Sequence, residues 1–429
     1  VRRLYTLLLY LALPFASLIV LARGLREREY WRGWRERFGI GVAGAGGGIW
    51  VHAVSVGEVQ VAALLVRALR ERAPRLEVTL TCATPTGRGL ARSLLPDIAV
   101  SYAPYDLPGS VQRYLARVRP RLLVLIESEL WPNLLHELQR AATPTLIASA
   151  RISARSSERY RRLPGLLRAA LQGGVWVAAQ SEADAQRFIA LGVPAGRVSV
   201  VGNLKFDRGP SADTAARGAA LRSQYGQGRA LWVAGSVHPG VELESVLAAH
   251  RRVLERLDAL LVLAPRHPPR FEEMAELIVS QGWRLLRRSS GMQDAQAQVL
   301  LLDSLGELQD FYAAAEVAFV GGSLVPIGGH NVLEPAAVGV PVLSGPQLFN
   351  SPEVARVLRV QGALTVVADA EALGCELQRL LAEPDTRARQ GAAGRATIEA
   401  NRGALGRVIA LIDRLALTAG SESAAVRAR

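Results

Sequence analysis

Apolar positions along the chain follow two distinct patterns. The first is continuous: Leu4 to Ala22 is a run of 19 residues without a charged side chain, long enough to cross a hydrocarbon core as a helix. The second begins after a glycine-rich joint, Gly39 to Gly48, where short β-branched runs alternate with stretches of helical amphipathicity. That alternation predicts parallel α/β architecture. Strands are predicted at Ile49–Val54, Val78–Cys82, Ala99–Tyr102, Leu122–Ile126, Thr145–Ala148, Val175–Ala179 and Val198–Val201 in the first half. In the second half they are predicted at Ala230–Ala234, Leu260–Leu263, Val299–Leu302, Val317–Val320 and Pro341–Leu343. No repeat at solenoid spacing is present. The 429 residues exceed one ordinary hydrophobic core and fit two doubly wound domains. The expected division is 1–38 for a membrane anchor with a basic membrane-proximal segment, 39–207 for the first domain, 208–228 for a linker, 229–417 for the second domain and 418–429 for a tail.

Composition narrows the picture. Half the residues are hydrophobic and 21% are charged, which excludes a disordered chain, a coiled coil and a disulfide scaffold. Cys82 and Cys375 lie far apart in apolar runs, so buried thiols in a reducing compartment are expected, with no zinc. The formal charge is +13. Of the 51 basic side chains only Lys205 is a lysine, which marks it as a position where a compact ammonium is wanted in place of a planar fork. Arg2 and Arg3 precede the apolar run, whereas Arg23, Arg26, Arg28, Arg32, Arg35 and Arg37 follow it. This asymmetry predicts a single-pass N-terminal anchor with the body in the cytoplasm. No small-residue cleavage site follows the run. Trp31 and Trp34 among the arginines suit an anionic leaflet. Aromatic residues make up only 6% and are not interleaved with a basic stripe, which argues against nucleic acid.

In an α/β sheet the loops after strands carry the chemistry. Ser55-Val56-Gly57-Glu58 follows the first strand and opens a helix, so Glu58 is either a general base or an N-terminal acid on the helix dipole. The fourth strand runs into Glu127-Ser128-Glu129-Leu130-Trp131-Pro132-Asn133, where one carboxylate is expected to be functional and the other to cap the next helix. The pattern does not choose between them. Gly202 to Asp207 delivers Lys205. In the second half Gly235-Ser236-Val237-His238, Pro265-Arg266-His267-Pro268 and Gly321-Gly322-Ser323 form the outline of a nucleotide cradle, with Arg266 a phosphate partner. Gly328 to Pro335 opens a further helix, with Glu334 within reach of ribose hydroxyls. His238, His267 and His330 are expected to structure loops. No Asp-x-Asp occurs, so leaving-group stabilisation without a metal is expected.

These segments, in this order, resemble the Kdo transferases, membrane-anchored glycosyltransferases that add 3-deoxy-D-manno-octulosonic acid to a lipid A precursor. The resemblance rests on Tyr30 to Gly39, Val54 to Glu58, Glu127 to Asn133, Ala150-Arg151-Ile152-Ser153, Gly202 to Asp207, Pro265 to Pro268, Leu305-Gly306-Glu307-Leu308 and Gly321 to Pro335. It departs from the family at Val237, Val241 and Val332. It implies a GT-B fold of two facing Rossmann-like domains, the first binding acceptor and the second binding CMP-Kdo. It further implies lipid IVA as acceptor, an inverting displacement in lipopolysaccharide core biosynthesis, and a Gram-negative inner-membrane location. Position by position it implies Glu58 as proton acceptor and Glu127 with Lys205 as transition-state stabilisers. It implies CMP contacts at Pro265, Arg266, Leu305, Gly306, Glu307, Asn331, Val332, Leu333 and Glu334, and no cofactor or metal. A UDP-sugar 2-epimerase shares the architecture, and a tethered glycolipid-binding scaffold would share the anchor.

Overall fold

The computed structural model describes residues 1–26, 28–42, 44, 46–226 and 228–427. Contacts divide the chain into two units, Val1–Asp207 with Arg402–Arg429, and Arg208–Asn401. Among the described residues each unit holds one seven-stranded sheet, and its strand pairs are parallel.

The first sheet comprises β1 Ile49–Ala53, β2 Val78–Cys82, β3 Ala99–Tyr102, β4 Leu122–Ile126, β5 Thr145–Ala150, β6 Val175–Ala179 and β7 Val198–Val200, in the order β3-β2-β1-β4-β5-β6-β7. The direction of winding reverses between β1 and β4. Loops leaving two such strands diverge to opposite faces and open a crevice. Those loops are Val54–Glu58 and Glu127–Trp131. The central strands are buried on both faces, so β4 is a continuous apolar run. Ile49, Val51 and Ala53 pack into one core cluster, while Trp50 packs into the other.

The second sheet comprises β8 Ala230–Val237, β9 Ala259–Pro265, β10 Leu285–Arg287, β11 Val299–Leu301, β12 Val317–Val320, β13 Val342–Ser344 and β14 Leu364–Val366, in the order β10-β11-β9-β8-β12-β13-β14. Here the reversal falls between β8 and β12, which deliver Val237–His238 and Gly321–Ser323. Every predicted strand is present. The edge strands β10 and β14 were not predicted.

Three expected boundaries change. The stretch 208–228 contains the helix Thr214–Tyr225, which buries Leu221 and Tyr225 in the second unit and bonds Arg217 Nε to Asp310 Oδ2 at 2.7 Å. Its small residues had read as a linker. The C-terminal end of the expected 229–417 domain leaves the second unit after Asn401. Asp207 accepts the Gly403 and Leu405 N–H groups at 2.6 and 2.8 Å. The helix Ala404–Arg427 then packs Val408, Ile409, Ile412 and Leu415 into the first core. The same helix replaces most of the expected loose tail at 418–429, of which residues 428 and 429 lie outside the described residues. The glycine-rich joint is only partly covered, since residues 43 and 45 are also outside.

The segment after the N-terminal helix Arg2–Arg26 is docked on the first unit. Arg88 Nη2 meets Glu36 Oε1 at 2.6 Å, the Tyr102 N–H donates to Glu36 Oε2 at 2.8 Å, and Arg37 donates to the Ala83 carbonyl at 2.9 Å. Arg37 is buried with its guanidinium 4.0 Å from the Tyr102 ring centroid. It therefore braces the fold and does not face a leaflet.

Candidate functional site

In the first unit, Ser55 caps the helix Val56–Arg72, accepting the Glu58 N–H at 3.3 Å. Glu58 reaches back, taking the Ser55 hydroxyl on Oε1 at 2.7 Å and the Val54 N–H on Oε2 at 2.9 Å. This is a reciprocal cap built from Ser-x-x-Glu. A capping glutamate is usually solvated, but only 8% of Glu58 is exposed. Burial therefore raises its pKa to about 7; the two hydrogen bonds oppose that shift, and the charges of Glu129 and Glu127 add to it.

Glu127 leaves β4 with φ of +62°, in the left-handed region that costs a residue with a Cβ. The turn brings its Oε1 to 2.9 Å from Lys205 Nζ. Glu129 takes the Trp131 indole N–H at 2.8 Å, and its pKa is raised by burial. Trp131 in turn packs edge-on against His52, which burial holds neutral with a pKa lowered to about 4. Neither Glu127 nor Glu129 caps the helix Pro132–Arg140. Asp106 does so from a separate loop, accepting the Asn133 and Leu134 N–H groups at 3.2 and 2.7 Å. The first unit thus gathers Glu58, Glu127 and Glu129, with the Lys205 ammonium paired to Glu127. The Lys205 loop is held by Asn203, which accepts the Lys205 N–H at 3.0 Å, and by Ser149, which accepts the Leu204 N–H at 3.4 Å. Ser149 was not singled out in the sequence; its positive φ, 53°, is invisible there.

In the second unit the expected phosphate cradle is partly occupied from within. The carboxylate of Glu242, fully buried, accepts the N–H groups of His238, Gly322, Ser323 and Leu324 at 3.0, 2.9, 3.0 and 3.2 Å. The Gly321-Gly322-Ser323 turn is therefore built around a protein carboxylate and not around a ligand phosphate. Glu242→Gln keeps one acceptor oxygen but turns an amide N–H₂ toward backbone donors. A loss of about 2 kcal/mol in the second unit's stability is expected, read from denaturant unfolding of the whole chain.

The three histidines gather more closely than expected. His238 Nε2 lies 2.9 Å from His330 Nε2 with the rings stacked, and His267 stands edge-on to His238 at 5.4 Å. Burial lowers the pKa of all three, His330 to about 3, with Arg266 adding to each shift. They remain neutral at pH 7, so the positive charge of this corner comes from arginine: the exposed Arg266, which acts on all three, and Arg270, which acts on His267. Gly322, at φ of +70°, is required here because a Cβ would lie 2.7 Å from the His330 ring. Among the described residues no group of three His, Cys, Asp or Glu side chains is arranged to hold a metal ion.

Asn331 bonds Glu334 at 3.0 Å and accepts the Leu333 N–H at 3.2 Å, and Arg208 reaches Glu334 at 3.5 Å. Val332 and Leu333 are buried and serve packing. The helix they open, Leu333–Ala337, has only five residues, so the expected dipole contribution to a phosphate is small. Glu307 is committed to Arg288 at 2.7 Å and to the Ser304 hydroxyl, and its pKa is lowered by the guanidinium. Leu305 beside it is 75% exposed; Gly306 turns the loop with a positive φ; Pro265 ends β9.

A family model described as 3-Deoxy-D-manno-octulosonic-acid transferase (kdotransferase) matches residues 32–208. The chain is 39% identical over 418 residues to the 3-deoxy-D-manno-octulosonic acid transferase of Haemophilus influenzae, covering 96% of this chain and 98% of that one. It is 38% identical over 431 residues to the enzyme of the same name from Bordetella pertussis, covering 95% and 98%. Among solved structures it is similar to the UDP-GlcNAc 2-epimerase of Neisseria meningitidis, with a TM-score of 0.56 over 86% of this chain and all of that one at 12% identity. That likeness shows the two-unit fold alone. The relatives carry the assignment: the chain belongs to the 3-deoxy-D-manno-octulosonic acid (Kdo) transferase family of glycosyltransferases.

Proposed function

We propose that this chain transfers Kdo from CMP-Kdo to a lipid A precursor, lipid IVA, by one inverting displacement without a metal ion. The observation that carries the reading is the buried Glu58 carboxylate, poised near neutrality beside two further carboxylates and a lysine. A base whose pKa lies near the working pH combines a useful ionised fraction with useful basicity. In this reading an acceptor hydroxyl gives its proton to Glu58 while its oxygen bonds to the anomeric carbon of Kdo. The bond from that carbon to the phosphate oxygen breaks, and CMP leaves with the electron pair. Glu127, held by Lys205, stabilises positive charge developing at the anomeric carbon. Arg266 meets the departing phosphate, Asn331 and Glu334 take sugar hydroxyls, and Pro265 with Leu305 to Glu307 borders the nucleotide. Val332 and Leu333 position Asn331 from behind.

The apolar helix and its arginines support a location at the inner membrane with both units in the cytoplasm, where an anionic, phosphate-bearing acceptor resides. Incubation of membrane-bound protein with freshly generated CMP-Kdo and lipid IVA is expected to add the mass of Kdo to the lipid. CMP is expected to inhibit where UDP does not. Transfer is expected to continue in EDTA. Transfer supported only by a UDP donor, or abolished by the chelator, would overturn the reading.

A further inference from the structure

The helix Arg2–Arg26 is held at both ends by the same unit. At its start, Arg2 Nη1 and Thr6 Oγ1 donate to Asn133 Oδ1 at 3.1 and 3.0 Å, and the Tyr5 hydroxyl donates to Asp106 Oδ2 at 2.9 Å. Asn133 is fully buried, and its amide N–H₂ is spent on the Asp106 carbonyl at 2.7 Å. Its carbonyl oxygen therefore takes its donors from the helix. At the other end Gly24 is covered by Trp31, whose indole N–H donates to the Leu21 carbonyl at 3.3 Å, so the chain folds back. From there the segment through Phe38 is bonded to the first unit by Glu36, Arg37 and the Phe38 carbonyl.

Between these ends, partial burial recurs at three- and four-residue steps, from Thr6 through Leu9, Leu13, Ser17 and Val20 to Gly24. This face is less exposed than the rest of the helix, though before Gly24 no residue on it is fully buried, and it carries the hydroxyls of Thr6 and Ser17. The opposite stripe, Leu4, Leu8, Leu11, Phe15, Leu18 and Leu25, is more than half exposed throughout. A helix of 25 residues spans about 37 Å. Crossing a hydrocarbon core of about 30 Å would set its ends on opposite sides of the membrane. One unit cannot then hold both.

We propose that this helix does not cross the membrane but lies in the plane of the cytoplasmic leaflet, strapped to the first unit by Asn133 and Asp106, with the Leu4–Leu25 stripe in the acyl region. The proposal rests on the membrane reading above and replaces the single-pass orientation that arginine asymmetry predicts. A bilayer is the occupant that fits, because the open stripe is wholly apolar and is flanked by Arg3, Arg23, Arg28, Arg32 and exposed Trp34. The strap reaches the chemistry: Asn133 follows Trp131, which holds Glu129. The helix that enters the lipid is thus tied to the loop carrying the carboxylates.

The test uses Val1→Cys in a Cys375→Ser background, since Cys82 is buried and Cys375 exposed. A membrane-impermeant maleimide is expected to leave intact spheroplasts unlabelled at this position and to label inverted vesicles. Separately, Thr6→Cys with Asn133→Cys in the same background is expected to cross-link within one chain on mild oxidation of isolated membranes. Labelling of Val1→Cys from outside would overturn the in-plane helix while leaving membrane attachment intact. Recovery of unmodified protein in the soluble fraction, as a monomer or as a dimer through the apolar stripe, would overturn both.

Discussion

Glu58→Gln is expected to lower Kdo transfer by about a thousandfold, the scale of losing a positioned general base, while making the protein more stable at alkaline pH. Both effects come from one carboxyl group. In wild type, kcat/KM is expected to rise with pH through about 7, where Glu58 ionises; in the variant that limb disappears, because the amide takes up no proton. The stability sign is opposite to that of a salt-bridged carboxylate. The folded pKa, about 7, lies above the ordinary glutamate value, so the native state binds the extra proton and stability falls as pH rises between the two. The cost at pH 8 is about 3 kcal/mol at most. Glutamine is isosteric here: its oxygen can accept the Val54 N–H and its N–H₂ can face Ser55. Thermal melts of both proteins should therefore coincide below about pH 4.5, separate as pH rises toward 7, and differ by a constant amount above that. Equal activity with that divergence would show that Glu58 is a buried cap and not the base.

The parts of the fold legible in the sequence are those with a local period. Runs such as Leu122–Ile126 and Val317–Val320 are apolar because both faces of a parallel strand are covered, and no other short element looks like them. What was not legible depends on partners distant in sequence. Arg217 and Leu221 find theirs about ninety residues on, at Asp310 and in the cluster that holds Phe311, so a helix rich in small and polar residues reads as a linker. Val408 and Ile412 show ordinary helical spacing, and nothing local says which core they enter. The site divides similarly. Glu58 and Lys205 stand out by position after a strand and by rarity of type. Glu242 does not, because a glutamate one residue into a helix looks solvated until four backbone N–H groups converge on it from two other loops. That Glu127, and not Glu129, pairs with Lys205 goes with a backbone feature, the positive φ at Glu127, of which composition carries no trace.

Lys205→Met is expected to lower transfer by about a hundredfold, the scale of removing one preorganised charge from a site, and to move the pH profile. Lys205 and Glu127 are each only about one-fifth exposed, so removing the ammonium leaves a poorly solvated carboxylate with no counter-charge beside Glu58. Glu127 already pushes the pKa of Glu58 upward; without Lys205 that push is stronger, and the rising limb of kcat/KM should shift to higher pH. A lysine that merely braced its loop would lower activity without moving the limb, since Asn203 and Ser149 hold the loop through backbone N–H groups. Lys205→Arg separates charge from shape. Every other basic side chain in the sequence is arginine, so retention of lysine here predicts that the guanidinium, broader and planar, fits badly against Glu127. The expected result is a limb near its wild-type position, with turnover intermediate between wild type and Lys205→Met. Full activity in Lys205→Arg would mean that charge alone is required and that the single lysine carries no geometric demand.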